Sequence, residues 1–157
     1  MLREDVSPII KEVKPINFLF YRTETNMSDL GKLVPVGQSL LREAVSRDLQ
    51  ITGPIHWHYI DFEGDASKAF TLEVALPVAT FPKDYDGPFH FKRTEVYKSV
   101  SLVHDGSWLE IPASYDKIMH FMKAKNLKPK GVNREIYINA DFEHPEANVT
   151  EIQLGIN

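Results

Sequence analysis

The stretch Leu72-Glu-Val-Ala-Leu-Pro-Val78 returns in altered form near the end of the chain, as Thr150-Glu-Ile-Gln-Leu-Gly-Ile156. A second pair of matching letters precedes it at a similar spacing, because Asp61-Phe-Glu63 corresponds to Asp141-Phe-Glu143. The period of about 75–80 residues is too long for a solenoid and suits two similar modules of one domain. The sequence therefore predicts an internal duplication.

The first copy, repeat one, covers about residues 13–80 and has the order strand, helix, strand, strand. Apolar residues recur at three- and four-residue steps between Leu33 and Leu49, which indicates an amphipathic helix. Pro35 fits only in the first turn of that helix. Aromatic and β-branched residues indicate strands at residues 16–25, 55–60 and 69–76.

The same order begins again after residues 81–88, which are rich in turn residues and are predicted to be the hinge. Repeat two, about residues 89–157, opens with a strand candidate at residues 89–103. An apolar stripe from Ile111 to Met122 predicts its helix, with Pro112 in the first turn. The closing strands are expected at residues 134–138 and 148–154.

These elements predict one α+β domain over residues 1–157. It consists of two strand–helix–strand–strand repeats related by a pseudo-twofold axis, with antiparallel sheets, helices on one face and a ligand cleft between the repeats. The two helices are expected to cover one face of the sheets. The cleft is then expected on the faces left free, at the symmetry axis.

Composition excludes several classes of protein. The 157 residues contain no cysteine, which excludes thiolate catalysis, zinc–cysteine sites and disulfide frameworks. The formal net charge of −4 and the lack of a basic patch argue against nucleic-acid binding. No signal peptide and no apolar run of about 20 residues is present, so we expect a cytoplasmic protein that does not bind a membrane.

The strand at Arg134-Glu-Ile-Tyr-Ile-Asn139 carries the most informative polar residue, because side chains alternate along a strand. If Ile136 and Ile138 pack under the helix, Glu135 and Tyr137 face the cleft. A carboxylate among aromatic rings is costly, so it either anchors a cationic or hydrogen-bonding ligand or acts as a general acid or base. The alternative is a surface glutamate on an edge strand.

Repeat one has Ile55 at the position that matches Glu135, followed by Trp57 and Tyr59 on the same face of its strand. Trp57 and Tyr59 are expected to form the opposite wall, although ordinary core packing explains either ring alone. Tyr21 is a further candidate, and the sequence does not assign it to either face of its strand. The helical stripe of repeat two also contains Tyr115 and Met119, which are expected in the core.

A metal site is not expected. His56 and His58 form a His-x-His pair on one strand, a spacing that can serve a metal. No third ligand is evident nearby, so satisfied or exposed histidines are the better interpretation. No cofactor motif of the phosphate- or dinucleotide-binding kind occurs either, and no cofactor is expected.

The C-terminal run Asn133-Arg-Glu-Ile-Tyr137, followed by Asn148-Val-Thr-Glu-Ile-Gln-Leu-Gly-Ile156, resembles the GyrI-like small-molecule-binding family. This effector domain also occurs at the C-terminus of MerR- and AraC-type multidrug regulators. The segment from His104 to Tyr115 is similar to a further family motif, with Trp108 in its aromatic position. Gly155 replaces a proline that is usual in the family. The resemblance extends from about Val13 onward.

The resemblance implies an aromatic pocket in which Glu135 contacts small, apolar or cationic organic ligands. It also implies ligand-binding roles for Tyr137 and Trp108, beside Trp57, Tyr59 and Tyr21 from the strand argument. The expected function is a stand-alone sensor or sequestering protein. An alternative is a small hydrolase of cyclopropane-bearing electrophiles that uses Glu135 with Tyr137.

A third expectation is a protein that inhibits or modulates a protein partner. DNA binding is not expected. In the regulators a DNA-binding module precedes the domain, and the dozen or so residues before the resemblance here are too few for a helix-turn-helix.

Overall fold

The computed structural model describes residues 6–157 and consists of two successive units with the order strand, strand, helix, strand, strand. The first unit contains β1 Ile9–Val13, β2 Asn17–Thr25, α1 Val34–Ser46, β3 His56–Ile60 and β4 Phe70–Pro77. The second contains β5 His90–Arg93, β6 Tyr97–Asp105, α2 Ile111–Ala124, β7 Pro129–Asn139 and β8 Val149–Ile156. The predicted α+β class with two repeats is confirmed. The short strand β1 was missed.

All eight strands join one antiparallel sheet in the order β1-β6-β8-β7-β3-β4-β2-β5. The central pair, β3 and β7, comes from different repeats and makes the sheet continuous between them. Each repeat sends its first short strand to the other repeat, since β1 pairs with β6 and β5 pairs with β2. Among the described residues, no helix is long and apolar enough to span a membrane.

The strand predicted at residues 89–103 is interrupted at residues 94–96, so it forms two strands rather than one. The reason lies in the crossing of the two repeats. Val13 pairs with Tyr97 and Asn17 pairs with Arg93, which places residues 14–16 beside 94–96. The backbone N–H of Thr94 donates to the carbonyl of Ile16 at 2.9 Å, and the N–H of Ile16 donates to Thr94 Oγ1 at 2.9 Å. This crossing brings the two edges of the sheet together.

Both helices lie on the same face of the sheet and bury separate apolar clusters. The helix α1 contributes Leu40 and Ala44 to a core with Leu19, Leu72, Val74 and Leu76. The helix α2 contributes Ile118 and Met122 to a core with Val100, Ile152 and Leu154. A leucine, isoleucine, valine or methionine among them stabilises the fold by about 1.5–3 kcal/mol when fully buried. As predicted, Pro35 and Pro112 lie in the first turns of the helices.

The other face of the sheet is also buried, because the sheet curls around it. His58 and Glu73 are each 2% exposed, and the carboxylate of Glu73 forms salt bridges with Lys92 and Arg22. His56 Nδ1 lies 3.1 Å from His58 Nε2. Burial lowers the pKa of His56 to about 3, with a smaller contribution from a nearby arginine charge. These histidines are therefore neutral members of a polar interior.

The predicted position of the cleft relative to the helices was wrong. Ile136 does not pack under a helix, since its neighbours across the strands are His56 and Glu151, on the polar interior face. Glu135 points to the face that carries both helices. The sequence correctly placed Glu135 and Tyr137 on one face of β7 and Ile136 on the other. The face that carries Ile136 is buried by the curled sheet itself, so no helix covers it.

The segment predicted as the hinge, residues 81–88, is attached to α1. Tyr85 donates its hydroxyl proton to Glu43 Oε2 at 2.6 Å, and Arg47 donates to Asp86 Oδ1 at 2.7 Å. This hinge segment therefore supports α1, which forms one wall of the site described below.

The close approach of β8 to its neighbours at Gly155 generates a first prediction. A Cβ at this position would lie 2.7 Å from the carbonyl oxygen of Val132 and 2.8 Å from Cε1 of Tyr97. Tyr97 donates to that same carbonyl at 2.7 Å, so neither group can move freely. We expect Gly155→Ala to lower the free energy of unfolding by about 1–3 kcal/mol in urea denaturation.

The control for this experiment is Gly31→Ala, because a Cβ at Gly31 meets nothing within 4 Å. Its effect should be clearly smaller. Equal stability of the Gly155→Ala protein and the parent would contradict the close contact of Gly155 with Val132 and Tyr97.

Candidate functional site

A cleft of about 1600 Å³ lies between α1 and α2, over the central strands β3 and β7. Ligand pockets commonly occupy about 300–1,000 Å³, so this space can hold a large organic molecule. The cleft is the space whose floor and walls are formed mainly by Leu41, Trp57, Tyr59, Trp108, Ile111, Tyr115, Met119, Asn133, Glu135 and Tyr137. Most of this lining is apolar or aromatic.

The register of the central strands places the polar group of the floor beside aromatic residues. Trp57 lies directly opposite Glu135, and Tyr59 lies opposite Asn133. Residues directly opposite each other share a face of the sheet, and so do residues two apart on one strand. Tyr137 therefore joins the same floor. One antiparallel pair of strands thus presents aromatic rings from repeat one to a carboxylate from repeat two.

Glu135 is held by three phenolic hydroxyl groups. Its Oε1 atom accepts from Tyr137 at 2.7 Å and from Tyr59 at 3.3 Å, and its Oε2 atom accepts from Tyr115 at 2.7 Å. The glutamate is 7% exposed. Three donors from three different elements fix the orientation of the carboxylate before any ligand arrives.

The charge of Glu135 is only partly compensated. Burial raises the pKa of Glu135, while the hydrogen bonds from Tyr137, Tyr115 and Tyr59 act in the opposite direction. Within residues 6–157, no lysine or arginine forms a salt bridge with it. Burial also raises the pKa of all three tyrosines, and the carboxylate adds to the effect, so they remain proton donors.

The aromatic rings of the cleft form a connected series. Trp57 contacts Tyr137 edge-on at a centroid distance of 5.9 Å, and Tyr137 contacts Trp108 at 5.7 Å. Trp108 in turn packs against Phe142 at 5.2 Å. Edge-to-face pairs at such distances are favourable by about 0.5–1.5 kcal/mol each beyond their burial. The series therefore forms a preorganised wall.

The position of Trp108 and Tyr115 depends on a buried histidine. His104 Nε2 donates to the carbonyl of Ser107 at 2.8 Å, and Nδ1 lies 2.7 Å from Ser114 Oγ. Because Nε2 donates to a carbonyl, the hydrogen bond to Ser114 is made by the other ring nitrogen, Nδ1. The histidine thus ties the turn before α2 to the helix itself, and both carry cleft residues.

Five of the six predicted site residues come together in the cleft, namely Trp57, Tyr59, Trp108, Glu135 and Tyr137. Tyr21 does not line it. Its neighbour across the strands is Val74, and its ring packs against Phe89, two strands away from β3. The sequence indicated its aromatic character but not its distance from the axis.

Tyr115 was predicted in the core and is instead a member of the site, since its hydroxyl contacts Glu135. Met119 also lines the cleft and is 51% exposed, so its predicted core position was wrong as well. Helical periodicity assigns both residues to the face that points to the sheet. It does not reveal that the sheet floor is left open between the two helices.

The polar interior face holds His56 and His58, away from the cleft. No cluster of three or more potential ligands for a metal ion occurs among residues 6–157. The two histidines contact Phe18 and each other. Their proximity is thus part of the packing of the polar interior.

The chain matches the family model for the GyrI-like small-molecule-binding domain over residues 7–157. The chain belongs to the GyrI-like family. No curated protein matches it in sequence. The family membership covers both repeats and both walls of the cleft.

Solved structures of GyrI-like architecture agree with this fold. The crystal structure of the EcmrR C-terminal domain superposes with a TM-score of 0.81 at 21% identity, covering 97% of this chain and 98% of that one. In the EcmrR–DNA complex the TM-score is 0.77 at 19% identity, with 96% of this chain and 57% of the matched chain covered.

Two further structures illustrate the range of proteins with this fold. The structure of SAV2435 bound to tetraphenylphosphonium has a TM-score of 0.65 at 13% identity, covering 96% of this chain and 94% of that one. A hydrolase encoded by lin2189 from Listeria innocua has a TM-score of 0.70 at 16% identity, covering 96% and 92%. At these identities the likeness establishes the fold alone.

The hydrogen bonds to Glu135 generate a second prediction. Removing one phenol by Tyr115→Phe should raise the pKa of Glu135 further, because the ionised carboxylate loses a donor while its burial is kept. An NMR titration of the glutamate side-chain carboxyl carbons in the Tyr115→Phe protein measures this change.

Tyr21→Phe is the matched control, since Tyr21 lies outside the cleft. It should leave the titration of Glu135 where it is in the parent. An unchanged titration in the Tyr115→Phe protein would contradict the hydrogen bond that the structure assigns to Tyr115.

Proposed function

We propose that this protein binds drug-sized organic cations in the cleft, as a cytoplasmic sensor or sequestering protein. The observation that carries the proposal is a fixed, buried carboxylate, Glu135, among aromatic rings and without a cationic partner within the described residues. A ligand cation would supply the missing charge. Burial makes an unpaired charge costly, so its neutralisation by a ligand is favourable.

The aromatic lining adds a second source of affinity for the same class of ligand. A cation over the face of a tryptophan or tyrosine gains about 0.5–2 kcal/mol, more where water is excluded. Trp57, Trp108 and Tyr137 offer such faces around Glu135. Large apolar substituents of the cation would pack on the remaining walls, where the volume of the cleft leaves room.

One protein of the same fold supports the same class of ligand. The structure of SAV2435 contains tetraphenylphosphonium, a lipophilic cation, within the same fold. The EcmrR domain belongs to a protein that forms a complex with DNA. We infer a sensor or sequestering role for this chain and no direct contact with DNA, because its formal net charge of −4 does not favour the phosphate backbone.

A hydrolase is the second candidate function. Glu135 has a raised pKa and a phenol, Tyr137, at 2.7 Å from its Oε1 atom. Such a pair can take a proton from water and donate one to a leaving group. The hydrolase from Listeria innocua has the same fold. Its substrates here would be cyclopropane-bearing electrophiles that fit the cleft.

The proposal predicts that Glu135→Gln weakens binding of tetraphenylphosphonium at least tenfold, measured by isothermal titration calorimetry. The amide retains hydrogen bonding but removes the charge. Binding to the parent should also weaken as the pH falls through the raised pKa of Glu135, since the protonated carboxyl no longer attracts a cation. This pH dependence should be absent in the Glu135→Gln protein.

Glu110→Gln serves as the control, because Glu110 is exposed and does not line the cleft. It should bind as the parent does. Unchanged affinity of the Glu135→Gln protein would contradict the proposed anchor. Turnover of a cyclopropane-bearing electrophile by the parent, lost in Glu135→Gln, would instead favour the hydrolase.

A further inference from the structure

Two half-buried side chains of the cleft carry hydrogen-bonding groups that have no partner among the described residues. They are the indole N–H of Trp57 and the side-chain amide of Asn133, and both residues are half-buried. The other half-buried polar side chains of the lining are satisfied. The indole of Trp108 donates to Thr150 Oγ1 at 3.2 Å, and the hydroxyl groups around Glu135 all donate to its carboxylate.

The register of the floor fixes where these two groups lie relative to the charge. Asn133 precedes Glu135 by two residues on β7, a separation of about 6.6 Å on the same face. Trp57 lies directly opposite Glu135, at about 4.5–5.5 Å between the Cβ atoms of such a pair, and diagonally across from Asn133, at about 7–8 Å. The pairing of β3 with β7 is regular over these residues, so their backbone positions form a defined triangle.

The chemistry of this triangle distinguishes between organic cations. A tryptophan N–H can only donate, and the amide of an asparagine can donate through its nitrogen. A bare lipophilic cation such as tetraphenylphosphonium would displace water from both groups and leave them unpaired, which is unfavourable. A cation that also carries a carbonyl or ether oxygen would satisfy them.

We propose that the cleft prefers organic cations with a neutral hydrogen-bond acceptor about 5–7 Å from the positive charge, which Asn133 and Trp57 recognise. This inference rests on the proposed binding of cations at Glu135. It adds that the site selects among cations by a neutral hydrogen-bond acceptor on the ligand. Asn133 and Trp57 are thus determinants of specificity, while Glu135 supplies the charge.

A matched pair of probes tests this selection. The 4-benzoyl and 4-benzyl derivatives of benzyltrimethylammonium carry the same charge and differ by one carbonyl oxygen, one phenylene ring away from the charged group. We expect the parent protein to bind the benzoyl compound about three- to tenfold more tightly in calorimetric titrations, the range that one hydrogen bond provides.

Variants of the two donors should remove this preference. Asn133→Leu keeps the approximate volume of the side chain, and Trp57→Phe keeps an aromatic ring. In each, the benzoyl compound should weaken toward the affinity of the benzyl compound, and Asn133→Gln should restore part of the difference. Asn139→Leu is the matched control, because Asn139 is exposed on the same strand, outside the cleft, and donates to the carbonyl of Ala147.

The outcomes separate this inference from the function beneath it. Equal affinity of the parent for the two compounds, with both lost in Glu135→Gln, would overturn the acceptor preference and leave cation binding intact. A preference that survives both Asn133→Leu and Trp57→Phe would overturn the assignment of the donors. Failure of both compounds and of tetraphenylphosphonium to bind would overturn the proposed function itself.

Discussion

The antiparallel pairing of β3 with β7 is the interaction on which the rest of the structure depends. It joins the two repeats into one sheet and also sets Trp57 opposite Glu135. Without this register, the carboxylate of one repeat would not face the aromatic residues of the other. The helices then act as walls, because each covers the outer strands of its own repeat and leaves the central pair open.

The site combines a stability cost with preorganisation. A carboxyl group whose pKa is raised on folding stabilises the protein below its unfolded pKa, and this contribution is lost as the pH rises through the folded pKa. The ionised form of Glu135 therefore lowers the stability of the ligand-free protein. The three tyrosines reduce that cost and hold the carboxylate in place, so that a cation of the proposed kind would meet a group already oriented for it.

Much of the fold and part of the site could be predicted from the sequence. Alternation along β7 placed Glu135 and Tyr137 together, and the repeat placed Trp57 across from them. Alternation does not tell which face a helix covers, and the curled sheet buries polar residues such as Glu73 without one. Tyr115 was missed because the apolar periodicity of a helix is the same whether the residues beneath it are packed core or the open floor of a cleft. The break at residues 94–96 was missed because these three residues include β-branched side chains typical of strands and no turn residue.

The central claim is that Glu135 anchors a cation within the aromatic cleft. A crystal structure of the protein with bound tetraphenylphosphonium tests it most directly. The account predicts the phosphorus atom beside the carboxylate of Glu135, with phenyl rings against Trp57 and Tyr137. A cation bound on another surface, or in the cleft but remote from Glu135, would contradict it.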